Sequence, residues 1–224
     1  MDAVFITKIL SIILLDIVLS GDNAVVIALA CRNLPKRQRK KAIFIGTAGA
    51  IILRVVLTFA AVWLLQIPLV KLVGGLLLFY IALDLLKSEG EDPNLKSGNS
   101  MFAAIRTIII ADFVMSLDNV LAVAGVANGH MGLVILGLAV SIPLIVFGSQ
   151  LIIKLMEKFP ILIWIGALMI AYTAGHMIVA DKYGAQFVDR TFPQMAIIIP
   201  IMSMILLVIL GIWIKNRQTQ YTSR

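Results

Sequence analysis

The sequence contains few of the residues that soluble enzymes and soft-metal proteins use. Its 224 residues include one cysteine and two histidines, and only 14% of them are charged. The single cysteine, Cys31, excludes an intrachain disulfide and a cysteine cluster. A phosphate-binding loop of the Walker type is also missing, so nothing in the sequence indicates ATP hydrolysis. Any chemistry must therefore rest on a small number of polar side chains.

Apolar residues dominate what is present. They make up 61% of the chain, and the mean hydropathy is +1.03. A hydrocarbon core about 30 Å thick requires roughly 20 apolar residues per helical span. Runs bounded by charge, proline or glycine predict seven such spans, at 4–30, 42–65, 68–87, 101–127, 131–154, 160–179 and 195–214. The predicted fold class is an all-α membrane protein whose solvent is the lipid bilayer.

The net charge of +7 is explained by topology and gives no reason to expect nucleic-acid binding. Six of the 19 basic residues lie in the connection between the first two spans: Arg32, Lys36, Arg37, Arg39, Lys40 and Lys41. Basic connections of this kind stay in the cytoplasm. The sequence therefore predicts an N-terminus outside the cell and a cytoplasmic C-terminus.

The two halves of the chain repeat. Residues 16–23, DIVLSGDN, align without gaps on residues 112–119, DFVMSLDN, at an offset of 96. A second match, of 68–84 with 160–176, has an offset of 92. Each unit holds three spans, and because three is odd the second unit must enter the membrane from the opposite side. The predicted repeats are therefore inverted.

The predicted organisation follows from these repeats. Two inverted three-helix repeats, 1–90 and 101–182, are separated by a cytoplasmic linker at 91–100. The remainder, 183–224, is predicted to form an accessory seventh helix and a cytoplasmic tail.

The acidic residues of the motif lie deep in the spans. Asp16 and Asp112 each fall about twelve residues into a span, which corresponds to a depth of roughly 18 Å at 1.5 Å per residue. An aspartate at the centre of a membrane helix costs about 2.5 to 3.5 kcal/mol. Such residues require a cation, a proton or a basic side chain to compensate them.

Helix geometry predicts that the two motif copies differ. At about 100° per residue, Ser20 and Asn23 fall within about 40° of Asp16 on the helix, whereas Asp22 points about 120° away. Gly21 tolerates a local break that could bring these groups together. Because leucine stands at the equivalent position of the second copy, we expect the first span to be more distorted than the fourth.

The motif residues form a candidate metal site with oxygen ligands only. Carboxylate, amide and carbonyl oxygens suit magnesium, calcium or manganese, and they do not distinguish among the three. Met115 is interpreted as core packing, because the first copy has leucine there. An alternative is that these polar residues only bond helices to one another and bind no ion. The candidate ligands are Asp16, Asp22, Asn23, Asp112, Asp118 and Asn119.

Other polar residues within the spans are candidate accessory or gating residues: Ser20, Ser116, Arg54, Asp84 and His176. Arg54 lies in the middle of the second span. It could neutralise a carboxylate when the site is empty, or it could be a permanent structural partner of an acid. Asp84 and His176 stand at matched positions of the two repeats, where they could relay protons or face interfacial water.

The paired motifs D-x3-S-[GL]-D-N, the span pattern and the length resemble the TerC family of membrane proteins, in particular its short bacterial YjbE-type members. The resemblance covers essentially the whole chain. It implies two inverted three-helix units like those of LysE-type exporters, and Mn(II) efflux across the bacterial cytoplasmic membrane. It also implies that the six motif residues are the ligands.

The expected protein is therefore a manganese exporter and not an enzyme. Mn(II) is its transported substrate, no organic cofactor is expected, and export could be coupled to protons. Alternative cargoes are calcium, magnesium or small organic solutes such as amino acids. Further alternatives are an intramembrane aspartyl protease and a scaffold for membrane-protein assembly. Expected partners are the lipid bilayer and the metal ion but no nucleic acid, while homo-oligomers and membrane-protein partners stay open.

Overall fold

A computed structural model describes residues 7, 10–14, 16, 20–64, 67–87, 97–127, 131–181 and 194–222. Within these ranges the chain is helical and contains no strand. Helical residues 10–14 and 16 precede the first complete helix. The complete helices are α1 (Gly21–Cys31), α2 (Lys36–Leu64), α3 (Val70–Lys87), α4 (Ser97–Ala127), α5 (Met131–Lys158), α6 (Ile161–Val179) and α7 (Met195–Thr222).

Four stretches of these helices are long and apolar enough to cross a bilayer. They are Lys36–Ala60, Val134–Lys158, Ile161–Val179 and Met195–Arg217. Many of their exposed side chains are large and apolar, as lipid contact requires. Phe44, for example, is 73% exposed and Phe147 is 71% exposed. The all-helical class is thus confirmed, while the count of seven spans and the inverted repeat stay predictions.

The chain divides into two compact units. The first contains Met1–Gln66 and Ser97–Glu157, and the second contains Ile67–Lys96 and Lys158–Arg224. In both units small residues allow helices to approach closely, which is the usual basis of packing in membrane bundles.

In the first unit, α2 packs against α4. A Cβ atom at Gly46 would lie 2.9 Å from Ile108 Cδ1, so a larger residue there would require the Ile108 side chain to shift. Further along both helices, Arg54 Nε donates to Ser116 Oγ at 3.0 Å. From the first contact to the second, the residue numbers rise in both helices, so α2 and α4 run in the same direction.

Residues 10–14 and helix α1 pack against α5 in a similar way. Ile12 lies against Gly137, and a Cβ at Gly148 would lie 4.0 Å from the Ala24 side chain. From the first contact to the second, the residue numbers rise on both sides. Residues 10–14 and α1 therefore run in the same direction as α5.

In the second unit, α6 packs between α3 and α7. A Cβ at Gly75 would stand 2.6 Å from the Ala174 carbonyl oxygen, and one at Gly175 would stand 2.6 Å from Pro200 Cα. Both neighbours are backbone atoms, which cannot move aside as a flexible side chain can. The two glycines therefore set how closely these three helices approach.

The first motif copy interrupts its helix and the second does not. Helix α1 begins at Gly21, and Ser20 before it has φ −108° and ψ 11°, outside the helical region. Helix α4 continues without a break from Ser97 to Ala127 through the second copy. This difference agrees with the asymmetry that Gly21 predicts.

Candidate metal-binding site

Two buried carboxylates from different helices form the centre of the site. Asp16 lies just before α1 and is 2% exposed, and Asp112 lies in α4 and is 9% exposed. Both belong to the first compact unit. Carboxylates that are this buried have lost most of their contact with solvent and must be compensated by positive charge or hydrogen bonds.

Arg54 supplies that compensation from α2. Its Nη1 pairs with Asp16 Oδ1, and its Nη2 pairs with Asp112 Oδ1 at 2.5 Å. The planar guanidinium presents its donors in a fixed fork, which suits it to bridging two carboxylates at once. One arginine therefore holds both acids of the repeated motif.

The serines of the two motif copies have the same role. Ser20 Oγ donates to Asp16 Oδ1 at 3.1 Å and accepts from Arg54 Nη1 at 3.0 Å. Ser116 Oγ donates to Asp112 Oδ2 at 3.3 Å and accepts from Arg54 Nε at 3.0 Å. In each copy the serine lies four residues after the aspartate, one helical turn away. Each hydroxyl thus links the acid of its own helix to the shared arginine.

Asn23 joins the first motif copy to the second. Its Nδ2 donates to Asp112 Oδ1 at 2.8 Å. Asp22, the next residue back, instead accepts a hydrogen bond from the Asn23 backbone N–H at 3.0 Å. Asp16, Ser20 and Asn23 therefore meet at the Arg54–Asp112 pair, whereas Asp22 does not line the cavity. This agrees with the larger angular separation of Asp22 on a helix.

Asn119, a predicted ligand of the second copy, is not among the described residues that line the cavity at this centre. Asn119 lies in α4 and is half-buried. The side chain of Asp118 lies outside the described residues. Asp84 and His176 are exposed positions of α3 and α6, and both belong to the second compact unit.

Ser141 and Thr47 are part of the site although the motif analysis did not select them. Ser141 Oγ of α5 hydrogen-bonds Asp16 Oδ2, and it also lies 3.0 Å from the Leu138 carbonyl oxygen. Thr47 lines the same cavity from α2. A signal for Thr47 was its spacing of seven residues before Arg54, which places both on one helix face.

These residues enclose a small cavity within the first unit. The space that the centre of a water-sized sphere can reach is about 20 Å³. A single water needs roughly 10 to 15 Å³ by the same measure. The cavity therefore has room for one ion or one to two waters. Its lining includes polar Asp16, Asn23, Thr47, Arg54, Asp112 and Ser141, with apolar residues such as Met115.

The donor set is rich in oxygen and poor in soft ligands. Among the residues that the structure describes, no group of three or more His, Cys, Asp or Glu side chains comes together. The polar lining consists of two carboxylates, an amide, two hydroxyls and one guanidinium. Such oxygen donors suit hard cations. In this structure the Arg54 guanidinium is paired with the two carboxylates.

The helices and this buried ionic cluster define a multi-pass membrane protein with a charged centre inside its bundle. The chain belongs to the TerC family of integral membrane proteins, whose sequence model matches residues 1–219. It is 43% identical over 212 residues to the membrane protein YjbE of Bacillus subtilis (strain 168), covering 95% of this chain and 97% of YjbE.

More distant relatives extend the same comparison. The chain is 28% identical to the membrane protein YkoY of Bacillus subtilis, covering 74% of this chain and 60% of YkoY. It is 29% identical to the inner membrane protein YgdQ of Escherichia coli (strain K12), covering 66% of this chain and 69% of YgdQ. No solved structure matches the chain significantly.

Proposed function

We propose that this protein exports Mn(II) across the bacterial cytoplasmic membrane, with Asp16 and Asp112 as the carboxylates that take the ion. One observation carries the proposal: the acids of both motif copies meet at one buried cavity and share a single counter-cation, Arg54. Intramembrane acids that converge in this way mark ion pathways in many membrane proteins.

The charges of the cluster support an exchange between arginine and metal. Two carboxylates and one guanidinium carry a net charge of −1, and withdrawal of Arg54 leaves −2 at the cavity. A divalent cation neutralises that charge. Arg54 would thus neutralise the acids while the site is empty and leave them when the ion binds. In this proposal Arg54 is a switch that exchanges with the metal, and not a permanent structural partner of the acids.

The choice of manganese comes from the family and not from the geometry. Carboxylate, amide and hydroxyl oxygens bind calcium and magnesium as well. We propose manganese because the chain belongs to the TerC family, for which the sequence resemblance implies manganese export. Calcium and magnesium are the competing cargoes, and the experiment below includes both.

The size of the cavity favours an ion over an organic solute. A space of about 20 Å³ accessible to water centres holds one to two waters, which is far less than an amino acid requires. The arrangement also does not favour a protease, because a catalytic acid dyad shares a proton between its carboxylates. Here Arg54 bonds to both carboxylates. We therefore propose a transporter rather than an enzyme.

The inverted repeat is part of this proposal. Ile12 and Ile108 are separated by the same 96 residues as the motif copies. Ile12 packs against Gly137 of α5, and Ile108 packs against Gly46 of α2. Equivalent positions of the two motif helices thus contact a glycine in the second helix of the opposite repeat. This reciprocal pairing is what a two-fold axis in the membrane plane would produce.

The proposed orientation places the basic connection between α1 and α2 in the cytoplasm. Arg39, near the start of α2, forms a 2.8 Å ion pair with Glu157 near the end of α5. This pair supports a common membrane face for the basic connection and the end of α5. The proposed N-terminus is outside and the C-terminus is cytoplasmic.

The test is flux into liposomes by purified protein, measured with a manganese-sensitive dye and a pH-sensitive dye. We expect wild-type protein to move manganese and Asp112→Asn to lose at least nine-tenths of the flux, because the variant cannot supply the second negative charge. Glu157→Gln is the matched control, since its side chain is 56% exposed and an exposed ion pair contributes only about 0 to 1 kcal/mol.

Four outcomes bear on the proposal. Absence of manganese flux in the wild type rejects it, as does full flux in Asp112→Asn. Faster flux of calcium or magnesium than of manganese changes the cargo. A matching pH change inside the liposomes would establish proton coupling.

A further inference from the structure

Two oxygen atoms at the cavity have no hydrogen-bond partner among the described residues. They are Asn23 Oδ1 and Thr47 Oγ1, and both line the cavity. Asn23 is 3% exposed and Thr47 is 4% exposed. Buried polar atoms are almost always paired in folded proteins, so an unpaired one needs an explanation such as an ion or a water.

The orientation of the Asn23 oxygen is fixed by its own amide nitrogen. Nδ2 donates to Asp112 Oδ1 at 2.8 Å, and a carboxylate oxygen accepts from the NH₂ group and not from the amide oxygen. The amide oxygen is therefore an acceptor without a donor. A water or a cation at the cavity would satisfy such an atom.

Thr47 differs from other hydroxyl residues in these helices. Helical hydroxyls commonly bond to a carbonyl oxygen one turn back. Three of them do so here: Thr58, Ser149 and Ser203. Thr47 makes no such bond, and its hydroxyl is left at the cavity.

Thr47 and Asn23 lie on the same side of the carboxylate centre. Thr47 is seven residues before Arg54 on α2, and Asn23 is seven residues after Asp16. Along α2, seven helical residues span about 10 Å. In both cases the displacement is towards residues 32–35, which join α1 to α2 within the basic cluster at 32–41.

We propose that the Thr47 hydroxyl and the Asn23 amide oxygen coordinate the divalent cation, directly or through one water, beside the carboxylates that Arg54 holds. This rests on the proposed function and adds to it Thr47, a ligand outside the repeated motif. The two neutral oxygens receive an ion that arrives from the basic connection. They replace part of its hydration shell before the ion reaches the carboxylates.

The first test uses two variants of Thr47 and manganese binding by calorimetry in detergent. Thr47→Val keeps the shape and removes the hydroxyl, and we expect it to weaken binding about tenfold, as loss of a supporting ligand commonly does. Thr47→Ser keeps the hydroxyl and should bind within about threefold of wild type. Metal-free Thr47→Val should unfold at the wild-type temperature or above it, because it loses an unpaired buried hydroxyl.

The second test does not depend on the fold of the valine variant. Thr47→Cys places a sulfur at the same position, and soft thiolate ligands select softer metals. We expect this variant to gain Cd(II) affinity at least tenfold over wild type, together with a thiolate-to-cadmium absorption band in the ultraviolet. Wild-type protein, which retains the buried Cys31, is the control for the native thiol.

The outcomes separate this inference from the proposed function. If wild type binds manganese and Thr47→Val binds within twofold of it, the inference fails and the exporter stands. Thr47→Ser binding as poorly as Thr47→Val overturns the inference too, because shape rather than the hydroxyl would matter. The same conclusion follows if Thr47→Cys gains no cadmium affinity. Absence of manganese binding and flux in the wild type rejects the proposed function itself.

Discussion

Substitution of Arg54 by glutamine tests whether this arginine is a switch or a permanent partner. Wild-type Arg54 pairs with Asp16 and Asp112 and is 5% exposed. Glutamine retains hydrogen-bonding groups but no charge. Two buried carboxylates then face one cavity without a counter-cation.

The metal-free variant should be much less stable than wild type. Removing one partner of a buried ion pair costs about 3 to 5 kcal/mol, and we expect the upper part of that range because two acids depend on Arg54. At about 2 to 4 °C per kcal/mol for a chain of this size, the unfolding temperature should fall by roughly 10 °C or more.

Manganese should stabilise the Arg54→Gln variant more than it stabilises wild type. In wild type the ion competes with the guanidinium, whereas in Arg54→Gln the carboxylates are free to bind it. We expect at least tenfold tighter binding, equivalent to about 1.4 kcal/mol. Saturating manganese should therefore raise the unfolding temperature of the variant by about 3 to 6 °C more than it raises that of wild type.

The assay is thermal unfolding in detergent with and without manganese chloride. Arg106→Gln is the control, because Arg106 is an exposed arginine of α4. Its loss should change neither the unfolding temperature without metal nor the rise that manganese causes. A variant that is destabilised but gains no more from manganese than wild type would show that Arg54 is a permanent structural partner. Unchanged stability without metal would refute the bridging arrangement itself.

Two further predictions concern helix packing and the Ser141 hydroxyl that bonds to Asp16. Gly75→Ala should lower the unfolding temperature, because its Cβ would stand 2.6 Å from the Ala174 carbonyl oxygen and overpacking costs about 1 to 3 kcal/mol. Gly132→Ala meets nothing within 4 Å and should be neutral or stabilising; equal shifts in the two variants would contradict the packing argument. Ser141→Ala removes a hydroxyl bonded to Asp16, and we expect calorimetry to show manganese binding weakened about three- to tenfold. Unchanged affinity in Ser141→Ala would exclude Ser141 from the site.

Much of the fold was predictable from local patterns. Long apolar runs predict membrane helices because the bilayer leaves no other partner for backbone polar groups. Helix α2 nevertheless begins at Lys36, six residues before the predicted start at 42. Basic side chains favour a helix as well as apolar ones do, so hydropathy alone places the boundary too late.

The sequence by itself also determined which groups of the motif could act together. The helical period is a local property of the chain, and it predicts that Asp16, Ser20 and Asn23 fall on one side of the motif. The same period directs Asp22 away from them, and Gly21 predicts where the first copy breaks. These inferences need no knowledge of what lies opposite.

Only the tertiary structure decided which residues from other helices contact the motif acids. Arg54 bridges acids that are 38 and 58 residues distant in sequence, and Ser141 contacts Asp16 across 125 residues. Which helices meet, and at which height, depends on contacts such as that of Gly46 with Ile108. Such pairings join distant parts of the chain, and no periodicity within a single helix specifies them.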